Sequence, residues 1–220
     1  MKILVTGARG FVGKNLCCAL KNIKDGKDRT RPNLKIDEVY EYDIGNEDKL
    51  NYYAGNADFV FNLAGVNRPK DPEEFRTGNF GFASKLLDTL KLCGNRCPVM
   101  LSSSIQATLI GRYDGEYGRS KKAGEDLFFD YSAETGAEVL VYRFTNLFGK
   151  WCRPNYNSAV ATFCYNTAND LPVIVTDPAV ELELTYIDDL VAEMLDAQKA
   201  FSALVNEVNT ILQAAISGNS

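Results

Sequence analysis

Tyr117-Gly118-Arg119-Ser120-Lys121 sets a phenol and an ammonium four residues apart, and Leu101-Ser102-Ser103-Ser104 runs shortly before them. On a helix, residues i and i+4 share a face. The Lys121 ammonium can therefore stand near the Tyr117 phenol and favour its ionised form, bringing a group with an ordinary pKa of about 10 toward working pH. No histidine occurs in the 220 residues. The usual acid/base group of neutral pH is thus missing, and Tyr, Lys or a carboxylate must carry any proton transfer.

Such a pair needs elements to place it. Lys2 to Thr6 is a short apolar run followed by a glycine-rich turn and then by helical periodicity from Phe11 to Leu20, which predicts a buried strand, a turn and a helix. Further strands are expected at Asp37 to Tyr42, Ala57 to Leu63, Pro98 to Ser102 and Glu138 to Phe144, with helices over Pro72 to Leu92 and Tyr117 to Thr135. Lys21 to Lys35, with Gly26 and Pro32, reads as a surface loop. Alternating strands and helices of this length imply an α/β fold, a doubly wound parallel sheet of the Rossmann kind, because parallel neighbours need crossover connections. Ligands of such sheets bind at the carboxyl ends of the strands, and the tyrosine, serine and glycine motifs all fall there. From Lys150 the chain turns aromatic and irregular (Trp151, Tyr156, Phe163, Tyr165), with short strands expected near Val173 to Val175 and Val180 to Leu184 and a helix from Asp188. Phe201, Leu204, Val205, Val208, Ile211, Leu212 and Ala215 then recur at helical spacing. The expected division is a dinucleotide-binding domain over 1–150 and a small substrate lobe with a C-terminal helix over 151–220.

The turn Gly7-Ala8-Arg9-Gly10-Phe11-Val12-Gly13 follows the first strand and opens the first helix, a context more informative than its glycine spacing. Gly7 permits a tight turn, Gly10 lets backbone N–H groups approach a pyrophosphate and Gly13 allows close helix packing. The helix N-terminus would face the phosphates. An acid at the end of the second strand, Glu41 or Asp43, would bond a ribose 2′-hydroxyl and favour NAD; Asp43 lies 43 − 13 = 30 residues past Gly13, rather than the usual ~20. Arg9, inside the turn, can reach a 2′-phosphate and favour NADP. These residues point both ways.

Composition limits the partners. A net charge of −5 argues against nucleic acid or an anionic membrane surface. No apolar run reaches the ~20 residues of a membrane span, and a cytoplasmic protein acting on a small molecule is expected. The six cysteines form no metal pattern, since Cys93 and Cys97 lack a second pair or a histidine. No metal is expected, and the thiols read as reduced, small hydrophobes.

Taken together, Gly7/Gly10/Gly13, Asn62-Leu63-Ala64-Gly65, Ser104, Tyr117-xxx-Lys121, Tyr142-Arg143-Phe144-Thr145-Asn146-Leu147-Phe148-Gly149 and Tyr186-Ile187-Asp188-Asp189-Leu190 resemble the extended short-chain dehydrogenase/reductase family, the NAD-dependent epimerases and dehydratases of nucleotide sugars. The resemblance implies that Tyr117 exchanges a proton with the sugar oxygen while hydride passes to or from a nicotinamide. Lys121 would bond the nicotinamide ribose and lower the tyrosine pKa, and Ser104 would bond the reacting oxygen. Leu63, Ala64 and Gly65 would line the dinucleotide, and Asn146 would meet the nucleotide-sugar phosphates. Ile105-Gln106 stands where sugar 4,6-dehydratases carry Asp-Glu, and neither residue can move that proton, so dehydration is not expected. Leu182-Glu183-Leu184 replaces an Arg-Asp-Tyr-like segment of many 4-epimerases, which weakens simple 4-epimerisation.

A narrower resemblance, to the reductase domain of CapF-like capsular polysaccharide enzymes, rests on Leu63-Ala64-Gly65-Val66-Asn67-Arg68-Pro69, on Leu101 to Thr108 and on Asn146 to Ser158. It implies NADPH-dependent reduction of the 4-keto group of a UDP-linked 2-acetamido-2,6-dideoxy sugar, and it tilts the cofactor toward NADP(H) over NAD(H). An epimerase holding NAD tightly and a cofactor-binding protein without turnover stand as alternatives. Arg68 and Arg153 can pair with a diphosphate and Trp151 offers an aromatic face, so these, with Asn157, are the remaining substrate candidates. CapF-like relatives carry a further cupin domain with metal-binding histidines, for which this chain has neither length nor histidine, and the substrate lobe is expected to be abbreviated. A homodimer through the helices at Pro72 to Leu92 and Tyr117 to Thr135 is a further expectation of the family.

Overall fold

A computed structural model describes residues 1–66, 76–175 and 177–198. β1 (Lys2–Thr6) carries the alternation that builds the sheet: Ile3 and Val5 point to one face and Leu4 to the other, all three fully buried. Both faces are covered, which explains why the strand reads as a continuous apolar run. α1 (Phe11–Lys24) presents Leu16, Leu20 and Ile23 at spacings of four and three to the Ile3/Val5 face. Burying each such side chain is worth about 1.5–3 kcal/mol relative to exposure.

β2 (Glu38–Tyr42), β3 (Phe59–Asn62), β4 (Val99–Ser104) and β5 (Val139–Phe144) complete a five-stranded parallel sheet in the order β2-β1-β3-β4-β5. The doubly wound parallel fold is therefore present. α2 (Leu50–Asn56), α3 (Phe82–Leu92, entered through a π-helical turn at Arg76–Gly81) and α4 (Glu116–Thr135) cover the Leu4 face. A helix at 187–198, α6, packs Ile187, Leu190, Val191, Met194 and Leu195 beside α1 on the other. No helix among the described residues is long and apolar enough to cross a membrane.

Four local expectations change. Leu50–Asn56 is a helix that the polar sequence around it concealed. Ala159–Ala168, inside the stretch expected to be irregular, is a helix, α5, capped at its start by Ser158, whose Oγ accepts from the Ala161 N–H at 3.4 Å. Val173 to Val175 is not a strand: it is exposed and pairs with nothing among the described residues, so its β-branched side chains have no sheet to join. The strand expected at Val180 to Leu184 instead begins at Leu184, because β7 (Leu184–Tyr186) takes its register from β6 (Asn146–Phe148), with Asn146 opposite Leu184. Arg68, the first part of the helix expected over Pro72 to Leu92, and the apolar stretch from Phe201 to Ala215 lie outside the described residues.

Candidate active site

The glycine turn is assembled by close backbone approach. Gly7 sits at φ +67, and a side chain there would lie 2.8 Å from the Ala64 nitrogen, so the turn rests directly on the end of β3. A Cβ at Gly13 would collide with the Gly7 carbonyl oxygen and lie 2.8 Å from the Ala8 Cα. Thr6 ties the two strand ends together, donating to Asn62 Oδ1 at 2.6 Å and accepting from the Ala64 N–H at 3.2 Å. The first turn of α1 holds no acidic residue and its cap, Gly10, has no side chain, so the N–H groups at Phe11 and Val12 meet no protein carboxylate from their own helix. Such an end suits an anion, and the absence of any room for a Cβ fits the close approach of a dinucleotide pyrophosphate.

Arg9 and Asp43 stand together. Asp43 accepts from the Arg9 backbone N–H at 2.7 Å and the Ile44 N–H at 2.8 Å, while the Arg9 guanidinium donates to the Ile44 carbonyl at 3.1 Å. Glu41 is drawn away to Lys21 across α1. Of the two acids considered for the ribose, Asp43 is the one the fold brings to the glycine turn. The intervening loop accounts for its long sequence separation.

Tyr117 and Lys121 lie in the first two turns of α4, brought against the two 3-10 turns that follow β4 by a close contact at Gly118, where a Cβ would be 2.5 Å from the Gln106 and Tyr113 carbonyl oxygens. Ser104 is hydrogen-bonded to the Tyr117 hydroxyl and also accepts from the Gln106 N–H at 3.2 Å. Lys121 Nζ donates to the Ser102 carbonyl at 3.1 Å and stands 5.8 Å from the centre of the Tyr117 ring. Asn79, which the sequence did not single out, closes the group from the opposite side: it accepts from the Val66 N–H at 2.8 Å and donates to the Val66 carbonyl and to Ser120 Oγ. Gly65 is pressed against Asn79 Oδ1 and Lys121 Nζ. Asn79 follows Gly78 just ahead of an amphipathic helix, and in sequence that pattern signals a helix start rather than a site.

The electrostatics differ from the expectation of a phenol made acidic by its lysine. Burial pushes the Tyr117 pKa up to about 12, only partly opposed by the Ser104 hydrogen bond, and burial pulls Lys121 down to about 8. Desolvation disfavours the charged form of both groups. A stability consequence follows. Below pH 8 Lys121 is charged in both folded and unfolded chains, and the folded one bears the full desolvation cost. Between pH 8 and the ordinary value of 10.5 that cost falls, because only the unfolded chain is still protonated. Lys121→Met is therefore expected to raise Tm by roughly 5 °C at pH 7, with an advantage over the parent that shrinks across pH 8 to 10.5 in paired calorimetric scans. An advantage independent of pH would show that the burial of the ammonium is not its source.

A cleft of about 270 Å3 opens beside Tyr117, lined by Ser104, Ile105, Gln106, Tyr113, Phe144, Thr145, Asn146 and Leu182. Ser104 and Asn146 thus share one cleft. Asn146 holds its β7 neighbour through its side-chain amide, which donates to the Glu183 carbonyl at 3.1 Å. Trp151, Arg153 and Asn157 do not line the cleft. All three are exposed on the segment after β6, where Lys150 lies 5.8 Å over the Trp151 ring and Arg153 lies 5.3 Å over Tyr156. All six cysteines are free thiols, and no group of His, Cys, Asp or Glu able to hold a metal ion occurs among the described residues.

A glycine turn at the end of β1, a Ser–Tyr–Lys group at the end of β4 and a cleft over the ends of β4 and β5 are carried on one Rossmann-like parallel sheet. The chain belongs to the NAD dependent epimerase/dehydratase family, whose model matches residues 3–209. Among its relatives is the UDP-2-acetamido-2,6-beta-L-arabino-hexul-4-ose reductase of Pseudomonas aeruginosa, 44% identical over 192 residues that cover 87% of this chain and 48% of that protein. The crystal structure of the capsular polysaccharide assembling protein CapF from Staphylococcus aureus superposes with a TM-score of 0.73 at 42% identity, covering 90% of this chain and 48% of that one. A UDP-glucuronic acid 4-epimerase from Bacillus cereus, solved with UDP-glucuronic acid and NAD, shares the fold, with a TM-score of 0.72 at 23% identity over 90% of this chain and 73% of that one. The chain spans about half the length of the first two relatives.

Proposed function

We propose that the chain carries the dinucleotide-binding and proton-transfer half of a nucleotide-sugar 4-keto reductase. Its substrate would be a UDP-linked 2-acetamido-2,6-dideoxy-4-keto sugar, a precursor of surface polysaccharide, and its cofactor NADP(H) in preference to NAD(H). The observation that carries this reading is the Tyr117 phenol, half-buried and hydrogen-bonded to Ser104, which lines the cleft. Reducing a ketone consumes one hydride and one proton, so the site needs a donor that still holds its proton at pH 7. A phenol pushed up to about 12 does.

Gly7, Gly10 and Gly13, with the N–H groups of Phe11 and Val12, would hold the pyrophosphate. Leu63, Ala64 and Gly65 would flank the nicotinamide half, and Arg9 and Asp43 the adenosine ribose. When bound, the reduced dinucleotide supplies the hydride. Ser104 hydrogen-bonds the keto oxygen and aligns it with Tyr117. As the oxygen gains charge, Tyr117 Oη gives it its proton, and the nearby Lys121 ammonium stabilises the tyrosinate left behind. Asn146, on the same cleft as Ser104, would orient the sugar nucleotide, with Trp151, Arg153 and Asn157 reaching the bound substrate from outside it and Arg68 a further candidate for the diphosphate. A homodimer would be consistent with the family.

Mixing the purified protein with NADPH and the UDP-linked 4-keto sugar is the direct test. The expected result is loss of absorbance at the reduced nicotinamide band in equal amount to the alcohol formed, faster with NADPH than with NADH. Tightly retained NAD and substrate epimerised without net loss of reduced cofactor would instead assign an epimerase. A clear preference for NADH would reverse the cofactor assignment and leave Asp43, not Arg9, as the residue reading the ribose.

A further inference from the structure

α4 carries the proton pair, yet its amino-terminal half has almost nothing apolar to hold it. Before Phe128 the buried residues of α4 are Gly118, Gly124 and Glu125; only from Leu127, Phe128 and Tyr131 does it pack into the core. Gly118 permits close approach but does not select an orientation, and a helix without an apolar stripe can roll about its own axis. Glu125 is the exception. It is 1% exposed, and its Oε1 accepts from Ser103 Oγ at 2.6 Å and from Arg143 Nε at 2.8 Å, while Oε2 accepts from Arg143 Nη2 at 2.7 Å. Burial pushes this carboxyl up, but the bonds from Arg143 and Ser103 outweigh it and leave the group below its ordinary range. It is a bidentate, charge-assisted clamp joining α4, β4 and β5.

The register makes the clamp specific. Tyr117, Lys121 and Glu125 repeat every four residues along one face of α4, and each meets one of three consecutive residues of β4: Tyr117 meets the Ser104 hydroxyl, Lys121 the Ser102 carbonyl and Glu125 the Ser103 hydroxyl. Rolling the helix by one residue would break all three together. We propose that Glu125, held by Ser103 and Arg143, is a positioning residue that fixes the roll of the first turns of α4 and so aims Tyr117 and Lys121 at the cleft. This rests on the reading of Tyr117 and Lys121 as the proton-transfer pair. The clamp touches neither substrate nor cofactor.

Removing Arg143 alone would strand the buried Glu125 charge, so the informative variant is the double change Glu125→Met/Arg143→Met, which replaces the ion pair with apolar bulk and tends to preserve folding. Two readouts apply. Hydrogen exchange should show amides of residues 120–126 losing at least tenfold in protection while those of 129–135 stay within twofold. Turnover in the NADPH assay should fall at least tenfold while the dinucleotide Kd stays within threefold. Glu125→Gln, which keeps an acceptor for Ser103, should restore part of the lost turnover and protection. Equal loosening of both halves of α4, or unchanged exchange, would overturn the proposal by making the pair ordinary structural support. If Tyr117→Phe left turnover intact, the reading of the site would fall instead, and the exchange pattern would still decide whether the clamp sets the helix.

Discussion

Tyr117→Phe is expected to lower kcat by about 10²–10⁴-fold, the range ordinarily supplied by a positioned acid, while leaving the dinucleotide Kd within about threefold. The substitution removes one oxygen and keeps the ring over which Lys121 stands. The packing of α4 against Gln106 and Tyr113 is untouched, because that contact is made at Gly118. Loss in kcat alone is the signature of an interaction made in the transition state rather than in binding. The sequence has no histidine to take over the proton, and Lys121 Nζ is held by the Ser102 carbonyl at 3.1 Å. Stopped-flow absorbance with saturating NADPH, paired with fluorescence titration of the dinucleotide, reads the two quantities separately. Retained turnover would remove Tyr117 from the chemistry. A parallel collapse of binding would mean that the hydroxyl holds the site together rather than acting on the substrate.

Much of this site is legible in the amino-acid sequence. Its parts sit at strand ends, and strand ends follow from apolar runs such as Ile3–Val5 and Val99–Leu101, whose continuity marks strands buried on both faces. The glycines of the first turn and the i, i+4 spacing of Tyr117 and Lys121 are local features that depend only on the chain around them. The residues that the sequence conceals are of a different kind. Asn79, Glu125 and Arg143 make contacts across elements far apart in sequence, and each looks locally like a solvated polar residue; Glu125 lies in a helix rich in charged residues, yet is buried. The spacing does hold one clue, since Glu125 falls four residues beyond Lys121 on the same face. The sign of the tyrosine shift is also illegible in sequence, because it turns on how much water each group loses, and that is set by the assembled packing of α4, β4 and the 3-10 turns after it. In the region after Lys150 the pattern fails for another reason. Val173 to Val175 has the composition of a strand, but strand formation needs a partner, and the register available in this chain goes to Leu184–Tyr186.

Gly13→Ala should affect dinucleotide binding most. The added Cβ meets backbone rather than the tip of a movable side chain: the Gly7 carbonyl oxygen, the Ala8 Cα at 2.8 Å and the Ala8 carbonyl carbon at 2.9 Å. Backbone cannot step aside without moving the turn, and Gly7 is itself pinned against Ala64 and Leu63. The cost is therefore about 1–3 kcal/mol of overpacking, and it falls on the segment whose N–H groups must converge on a pyrophosphate. A shift of even one ångström in such a cradle is enough to lose bonds that depend on direction, so a Kd increase of at least about 100-fold, some 2.8 kcal/mol, is expected. Gly26→Ala separates the two effects. Gly26, unlike Gly13, has a positive φ, +69, but a Cβ there meets nothing within 4 Å, and the residue lies in the loop after α1. It should lose about 1 kcal/mol through backbone strain with dinucleotide Kd unchanged. Urea melts and fluorescence titrations of both variants decide the matter: if Gly13→Ala bound dinucleotide as tightly as Gly26→Ala, the turn would be a structural corner and the phosphates would have to be held elsewhere.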